Sequence, residues 1–409
     1  MLDKYFEATF TLEQLRDGAG GSWLDGFAQS LHDDGYAWWT ARTYLRAAHH
    51  LGHFVEIRGI DIVAVSPDVI IEFRRHLKRC RCPKPRGRKS EDTIRGAESF
   101  LRYLRSAGII AEYARQSVPP LVDGFRHWLS FHRGASQTTL TRYGAAAVGL
   151  IEELGDDPGR YDAKGLRAFL LARARRRGAG GTRAILSAIR MFLRYLATQG
   201  KCAAGLDAAV PAIAGWRLAS LPHCLSVDEV ERLVSACDLT LAMGLRDRAV
   251  ILLLARLGLR ASDVATLRFT DIDWHDGSIL VKGKSRREAR LPLPQEVGDA
   301  MLAYLEHRPL TTSDRVFLRS LAPLRALPAH SVSQIVARAM RRSGVTGQVY
   351  GSHVLRHTAA TEMLHRGVSL YDIGSVLRHR SVDMSAYYAK IDMDLLKQIA
   401  QPWPEVLSC

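Results

Sequence analysis

Long apolar runs are missing from this 409-residue chain. No stretch reaches the ~18 consecutive apolar residues that a membrane span requires. The opening MLDKYFEATFTLEQL has acids early and no apolar core of signal-peptide length, so a cytoplasmic protein without a membrane partner is expected. Cysteine is scarce: six in the chain are too few for a disulfide scaffold. Cys80 and Cys82 lie near His76, but a zinc site takes about four ligands and no second pair stands close by, so no metal is expected. A glycine-rich phosphate loop and a carboxylate cluster are also lacking, and no cofactor is expected. Acid is in deficit as well: 42 Asp+Glu face 57 Lys+Arg, a net charge of +15. Such a balance points to a polyanionic partner, either nucleic acid or an anionic surface.

The remaining composition is that of a soluble globular protein, with 47% hydrophobic and 24% charged residues. At roughly 100–200 residues per domain the length allows two to four cores. The string FLRYL occurs twice, at 100–104 and 192–196, each time before a glycine-containing break. Upstream of each copy lies a threonine-led stretch with apolar residues at helical spacing. One holds Tyr44, Ala47, Ala48 and Leu51, the other Tyr143, Ala146, Ala147 and Leu150. Two related helical modules follow, about 20–112 and 120–203. Each has a basic segment before its FLRYL helix. KRCRCPKPRGRKS at 78–90 contains Lys84, Arg86, Arg88 and Lys89, and RARRRGAGG at 173–181 contains Arg175, Arg176 and Arg177. Lys/Arg loops of this kind suit phosphate contacts that position a protein without reading sequence.

Prolines and small residues after 204 read as a linker. Ser226 and Glu229 are then spaced as a capping box for a new helix. RDRAVILLLARLGLR reads as a buried helix ending at a glycine turn, and SILVKG with REARLPLP as two strands joined by a basic turn. The fold class expected is mainly α with a small antiparallel β-sheet.

Four polar stretches sit against apolar runs: GLRASDVATL with Arg260, VKGKSRREARLPL with Lys282 and Lys284, SHVLRHTAATEML with His353 and Arg356, and VLRHRSVDMSAYYAK with His379, Tyr387 and Tyr388. Asp263, three residues beyond Arg260, is placed to hold its guanidinium. Singly, each has an ordinary structural explanation: a surface ion pair, a core histidine, a helix cap, a packed tyrosine.

In this order, over about 221–393, they resemble the tyrosine recombinase (phage integrase) family, which carries Arg, Lys, His-x-x-Arg, His or Trp, and then Tyr. The resemblance implies a mixed α+β catalytic domain at 221–400, a helical SAM-like core-binding domain at 116–205, a linker at 206–220 and a tail at 401–409. The N-terminal module, 1–115, is a departure, expected to serve DNA binding or assembly. The family's nucleophile spacing, nine residues after the histidine of the third box, selects Tyr388 over Tyr387. Arg260, His353, Arg356 and His379 take the remaining catalytic positions, with Lys284 as the general acid and Lys282 as its competitor. Arg378 stands where the family usually has glycine, and Ser385-Ala386 replaces a usual threonine pair.

The implied activity is site-specific DNA recombination or integration, with a transposon-encoded origin as one option, through a 3′-phosphotyrosine without metal or ATP. The implied partners are double-stranded DNA and a homotetramer on it, with partner recombinases as a further option. A type IB topoisomerase-like enzyme and a DNA-binding regulator without catalysis are the alternatives.

Overall fold

The computed structural model describes residues 1–80, 82, 91–111, 118–176, 178–213, 223–282, 288–346, 351–379 and 383–390. The chain forms two compact units. One combines Met1–Ala111 with Leu218–Cys409, and the other is Glu112–Arg217.

The first core of the larger unit is helical: α1 (Thr9–Arg16), α2 (Leu24–Asp33), α3 (Trp38–Ile57), α4 (Pro67–Arg79) and α5 (Glu91–Ser106). α3 buries Tyr44, Ala47, Ala48 and Leu51, the positions that recur at helical spacing. α5 answers with Ile94, Ala97, Phe100, Leu101 and Leu104, which fill one stripe. Pro67 opens α4, where its missing N–H costs nothing.

The second unit repeats the design with α6 (Pro120–Arg133), α7 (Gln137–Leu154), α8 (Ala163–Ala174) and α9 (Ala179–Thr198). Phe100 packs on Phe27 at 5.2 Å between ring centroids, and Phe192 packs on Phe125 at 5.1 Å. Tyr103 lies 5.6 Å from Phe27, and Tyr195 lies 5.7 Å from Phe125. The glycine before each phenylalanine is required. A Cβ on Gly26 would meet the Tyr103 hydroxyl at 2.1 Å, and one on Gly124 would meet that of Tyr195 at 2.4 Å. The duplicated FLRYL therefore marks a duplicated aromatic core, built on Asp25-Gly26-Phe27 in one module and Asp123-Gly124-Phe125 in the other. Residues 206–213, within the stretch expected as linker, begin with a 3₁₀ turn. Val210 joins the second core, and Asp207 pairs with Arg194 at 2.7 Å.

The rest of the larger unit starts with α10 (Val227–Ser235), capped reciprocally by Ser226 and Glu229 as its sequence suggests. α11 (Ala242–Leu257) is apolar on nearly every side and becomes the central buried helix, ending at Gly258 with φ +60°. α12 (Ala261–Thr266) follows. The sheet has three antiparallel strands in the order β1 (Ile272–Asp273), β2 (Ser278–Lys282) and β3 (Glu288–Pro292). Ile279, Val281 and Leu291 face the core while Arg290 faces out, the period-two pattern of a half-buried sheet. β1 was not expected: two residues are too short to show alternation. α13 (Gln295–Glu306), α14 (Ala329–Arg342), α15 (Ser352–His365), α16 (Leu370–Val376) and α17 (Asp383–Ala389) complete the elements among the described residues. Among the described residues no helix is long and apolar enough to cross a membrane.

Candidate active site

Two arginines from distant parts of the sequence meet on one short piece of backbone. Arg260 stands at the N-terminus of α12, directly after the Gly258 turn. Its Nη2 donates to the carbonyls of Leu377 and Arg378, at 3.4 and 3.1 Å. Arg356, on α15, is 6% exposed. Its Nη1 donates to the Gly258 carbonyl at 2.5 Å, and its Nη2 donates to the Leu377 carbonyl. A single carbonyl, that of Leu377, thus receives both guanidiniums. A side chain at Gly258 would have to displace Leu377, since a Cβ would lie 2.5 Å from its Cδ2, and would add the strain of φ +60°. Burial, and then the charge of Arg260, push Arg356 down to about 10. Two cations are fixed side by side by neutral acceptors, an arrangement that favours an incoming anion.

Asp263 does not hold the Arg260 guanidinium, as its i,i+3 spacing suggests. Its carboxylate accepts the Arg260 backbone N–H at 3.1 Å and pairs with Arg378, both side chains being buried. Arg378 has φ +54°, a left-handed conformation that costs a residue with a Cβ about 1–2 kcal/mol. The backbone thus adopts a glycine-like turn at the position where glycine was the expected residue.

Tyr388 is 2% exposed, on α17. Its hydroxyl bonds His357 Nδ1 at 2.9 Å. The His379 ring lies parallel to the Tyr388 ring, 6.1 Å away, and its Nδ1 meets Ser385 Oγ at 2.8 Å. Burial raises the Tyr388 phenol above its ordinary range, while Arg356 pulls it down. Burial holds His357 at about 4, helped by His353 and Arg356. Burial followed by Arg356 and Arg260 does the same to His379. His353, one helical turn before His357, is exposed by surface area, yet protein crowding on its inner side and then the two arginines lower its pKa too. Near neutral pH all three imidazoles are uncharged, able to accept a proton. The Tyr387 ring is turned 65° from that of Tyr388; it too meets the His357 ring, at 5.9 Å, and packs partly buried beside Ala360, Ile373 and Leu377.

The profile of the Phage integrase family matches residues 223–394. The protein y4rA of Sinorhizobium fredii, named as an integrase/recombinase, is 36% identical over 98% of this chain and 99% of its own length. The chain belongs to the tyrosine recombinase family. The tyrosine recombinase XerD of Listeria monocytogenes is 28% identical over 68% of the chain and 96% of its own. In fold the chain is similar to the XerH site-specific recombinase bound to a palindromic difH substrate, with a TM-score of 0.54 and 17% identity over 80% of this chain and 93% of that one. It is similar as well to a lambda integrase dimer bound to a COC′ core site, at 0.52 and 20% over 66% and 93%.

Within this recombinase the structure brings Arg260, His353, Arg356, His379 and Tyr388 together on α12, α15, α17 and the turn after α16. Lys284 lies outside the described residues, as do Lys84, Arg86, Arg88, Lys89, Arg177 and the tail 401–409. The competitor Lys282 is engaged, its Nζ 2.9 Å from Asp271 Oδ1. Arg175 and Arg176 are exposed in the turn after α8, in the smaller unit. His357 was overlooked in the sequence. It follows Arg356 directly, and its i,i+4 relation to His353 was the available signal.

Proposed function

We propose that this recombinase cleaves and rejoins DNA strands through a covalent 3′-phosphotyrosine at Tyr388, as a site-specific recombinase or integrase. The observation that carries the reading is the convergence of Arg260 and Arg356 on the Leu377 carbonyl, beside a buried phenol already bonded to a neutral imidazole. A scissile phosphate carries a charge that grows in its transition state, and two planar guanidiniums suit its non-bridging oxygens. Tyr388 Oη attacks phosphorus, and the bond from phosphorus to the 5′ oxygen breaks. His357 accepts the phenol proton, and His353, one turn away and open to solvent, relays it. His379 donates to the phosphate. The departing 5′ oxygen takes a proton from Lys284, with Lys282, whose Nζ meets Asp271, as its competitor. The bond energy stays in the phosphotyrosine, so the scheme needs neither ATP nor a catalytic metal.

Double-stranded DNA in the cytoplasm is the substrate, and two duplexes require a tetramer. XerH and lambda integrase, the structural neighbours, are recorded bound to their DNA sites, and lambda integrase also as a tetramer on a Holliday junction. The N-terminal module, which repeats the aromatic core of the second unit, adds DNA affinity through its basic segment.

The test is a nicked duplex that traps the adduct on a denaturing gel. Tyr387→Phe is expected to form the adduct and Tyr388→Phe to bind DNA without forming it. An adduct from Tyr388→Phe refutes the assignment. Exchange between two plasmids, as against relaxation alone, separates recombination from topoisomerase-like action.

A further inference from the structure

We propose that His50, His76, Cys80 and Cys82 form a structural zinc site that fastens the start of the basic segment to the N-terminal module. The four residues offer two imidazole nitrogens and two sulfurs, all within 4.8 Å of one another. His50 Nε2 lies 3.4 Å from His76 Nε2 and 3.3 Å from Cys80 Sγ, and His76 Nε2 lies 3.4 Å from Cys82 Sγ. Zinc binds nitrogen at about 2.0–2.1 Å and thiolate sulfur at about 2.3 Å. The edges of such a tetrahedron are therefore about 3.4 Å for N to N and about 3.6 Å for N to S. The His50–His76, His50–Cys80 and His76–Cys82 distances follow those edges to within a few tenths of an ångström, and the remaining pairs lie within 4.8 Å.

The local structure explains how four separated residues reach one point. His76 and Cys80 are an i,i+4 pair in and just past the last turn of α4, so they share a face. Cys80 leaves the helix in an extended conformation, φ −61° and ψ 130°, and Cys82 turns back so that its N–H donates to Cys80 Sγ at 3.4 Å. His50 comes from α3, 26 residues before His76, and is 7% exposed. Phe73 and Phe54, both buried, lie against the two imidazoles at 5.3 and 4.8 Å. This apolar wall fixes the rings and excludes water, as outer shells do around metal ions.

The donor set selects the ion. Two sulfurs and two nitrogens in a tetrahedron suit zinc, and four protein ligands leave no open position, which marks a structural site. On binding, the two thiols release their protons. The two thiolates then neutralise the dication, and both imidazoles stay uncharged. No net charge is buried in a strongly basic neighbourhood. Sequence alone displays only His76, Cys80 and Cys82 as neighbours; the fold supplies the fourth ligand. Lys84, Arg86, Arg88 and Lys89 come directly after Cys82, so a metal here anchors the segment on one side while α5 anchors it on the other.

The test is metal analysis of the full chain, purified under reducing conditions without a metal-affinity tag. One zinc per chain is expected, retained in Cys224→Ser, which alters an exposed cysteine elsewhere. Cys82→Ser and His76→Ala are expected to lose it. Reloading the chelator-stripped protein with Co²⁺ should give the intense visible bands of tetrahedral cobalt with thiolate charge transfer. That spectrum, with the wild-type stoichiometry, carries the test even if the variants aggregate. Wild-type protein that holds no zinc and takes up neither Zn²⁺ nor Co²⁺ after full reduction overturns the proposal. So does full zinc retention by a Cys80→Ser/Cys82→Ser double variant.

Discussion

Replacing Arg356 with methionine separates what this side chain does for the fold from what it does for chemistry. A free guanidinium titrates above 12, and here it is held down to about 10 by burial and by Arg260. At about 1.4 kcal/mol per pK unit, keeping it charged costs the folded state roughly 3 kcal/mol. Its folded pKa lies below its unfolded one, so the penalty is present at every pH below about 10 and is constant through neutrality. Against it stand the hydrogen bonds to the Gly258 and Leu377 carbonyls, at about 1.5–3 kcal/mol each for a charged donor. No carboxylate pairs with Arg356 among the described residues. The bonds together amount to about 3–6 kcal/mol against that penalty, a net contribution between about zero and 3 kcal/mol, and methionine is flexible enough to fill the slot.

Arg356→Met should therefore lower the unfolding free energy by at most about 3 kcal/mol, whereas removing one partner of a buried ion pair costs about 3–5 kcal/mol. Single-turnover cleavage of a nicked duplex should meanwhile fall at least about a hundredfold, the effect of losing one preorganised donor to the transition state. Urea unfolding gives the first quantity and adduct formation the second. A loss of more than 3 kcal/mol in stability with cleavage little changed in the surviving folded fraction would refute the reasoning and make Arg356 a structural residue.

Three further outcomes are expected. His357→Phe keeps the ring and removes the acceptor of the Tyr388 hydroxyl, so adduct formation should slow by about 10²–10⁴; a loss of tenfold or less confines His357 to holding the phenol. His357 and His379 are held at about 4, below their unfolded values, so the stability each contributes is complete above about pH 6.5 and lost as the pH falls towards 4. Unfolding free energy should decline across that window by up to about 1.4 kcal/mol per pH unit for each histidine, and by less in His357→Phe and in His379→Phe. Changing Lys84, Arg86, Arg88 and Lys89 to Ala should flatten the salt dependence of DNA binding by up to about four phosphate contacts. An unchanged slope would assign the N-terminal module to assembly.

Side-chain chemistry was legible in the sequence where it demands a residue type, and hidden where the backbone does the work. Arg260, Arg356, His379 and Tyr388 could be picked out because their order and spacing resemble the recombinase family's boxes, an order that a guanidinium clamp on phosphate and a covalent nucleophile make chemically intelligible. The helices were legible through the Ser226–Glu229 cap and the stripes of α3 and α7. The carbonyl of Leu377 has no such signature, since every residue has a carbonyl. Its importance appears only when Gly258, Arg260 and Arg356 close on it. Asp263 misled for the same reason: spacing proposes the partner three residues away, while folding supplies Arg378, 115 residues on. His50 likewise completes its cluster from another helix. A left-handed residue at 378 then becomes intelligible. The turn must present two successive carbonyls, those of Leu377 and Arg378, to the arginines, and that geometry is kept although the residue occupying it carries a Cβ. The pairing with Asp263 satisfies only one nitrogen of the buried Arg378 guanidinium, whose Nε and Nη1 have no partner among the described residues, so the conformation rests on the carbonyl contacts to the two arginines rather than on this ion pair.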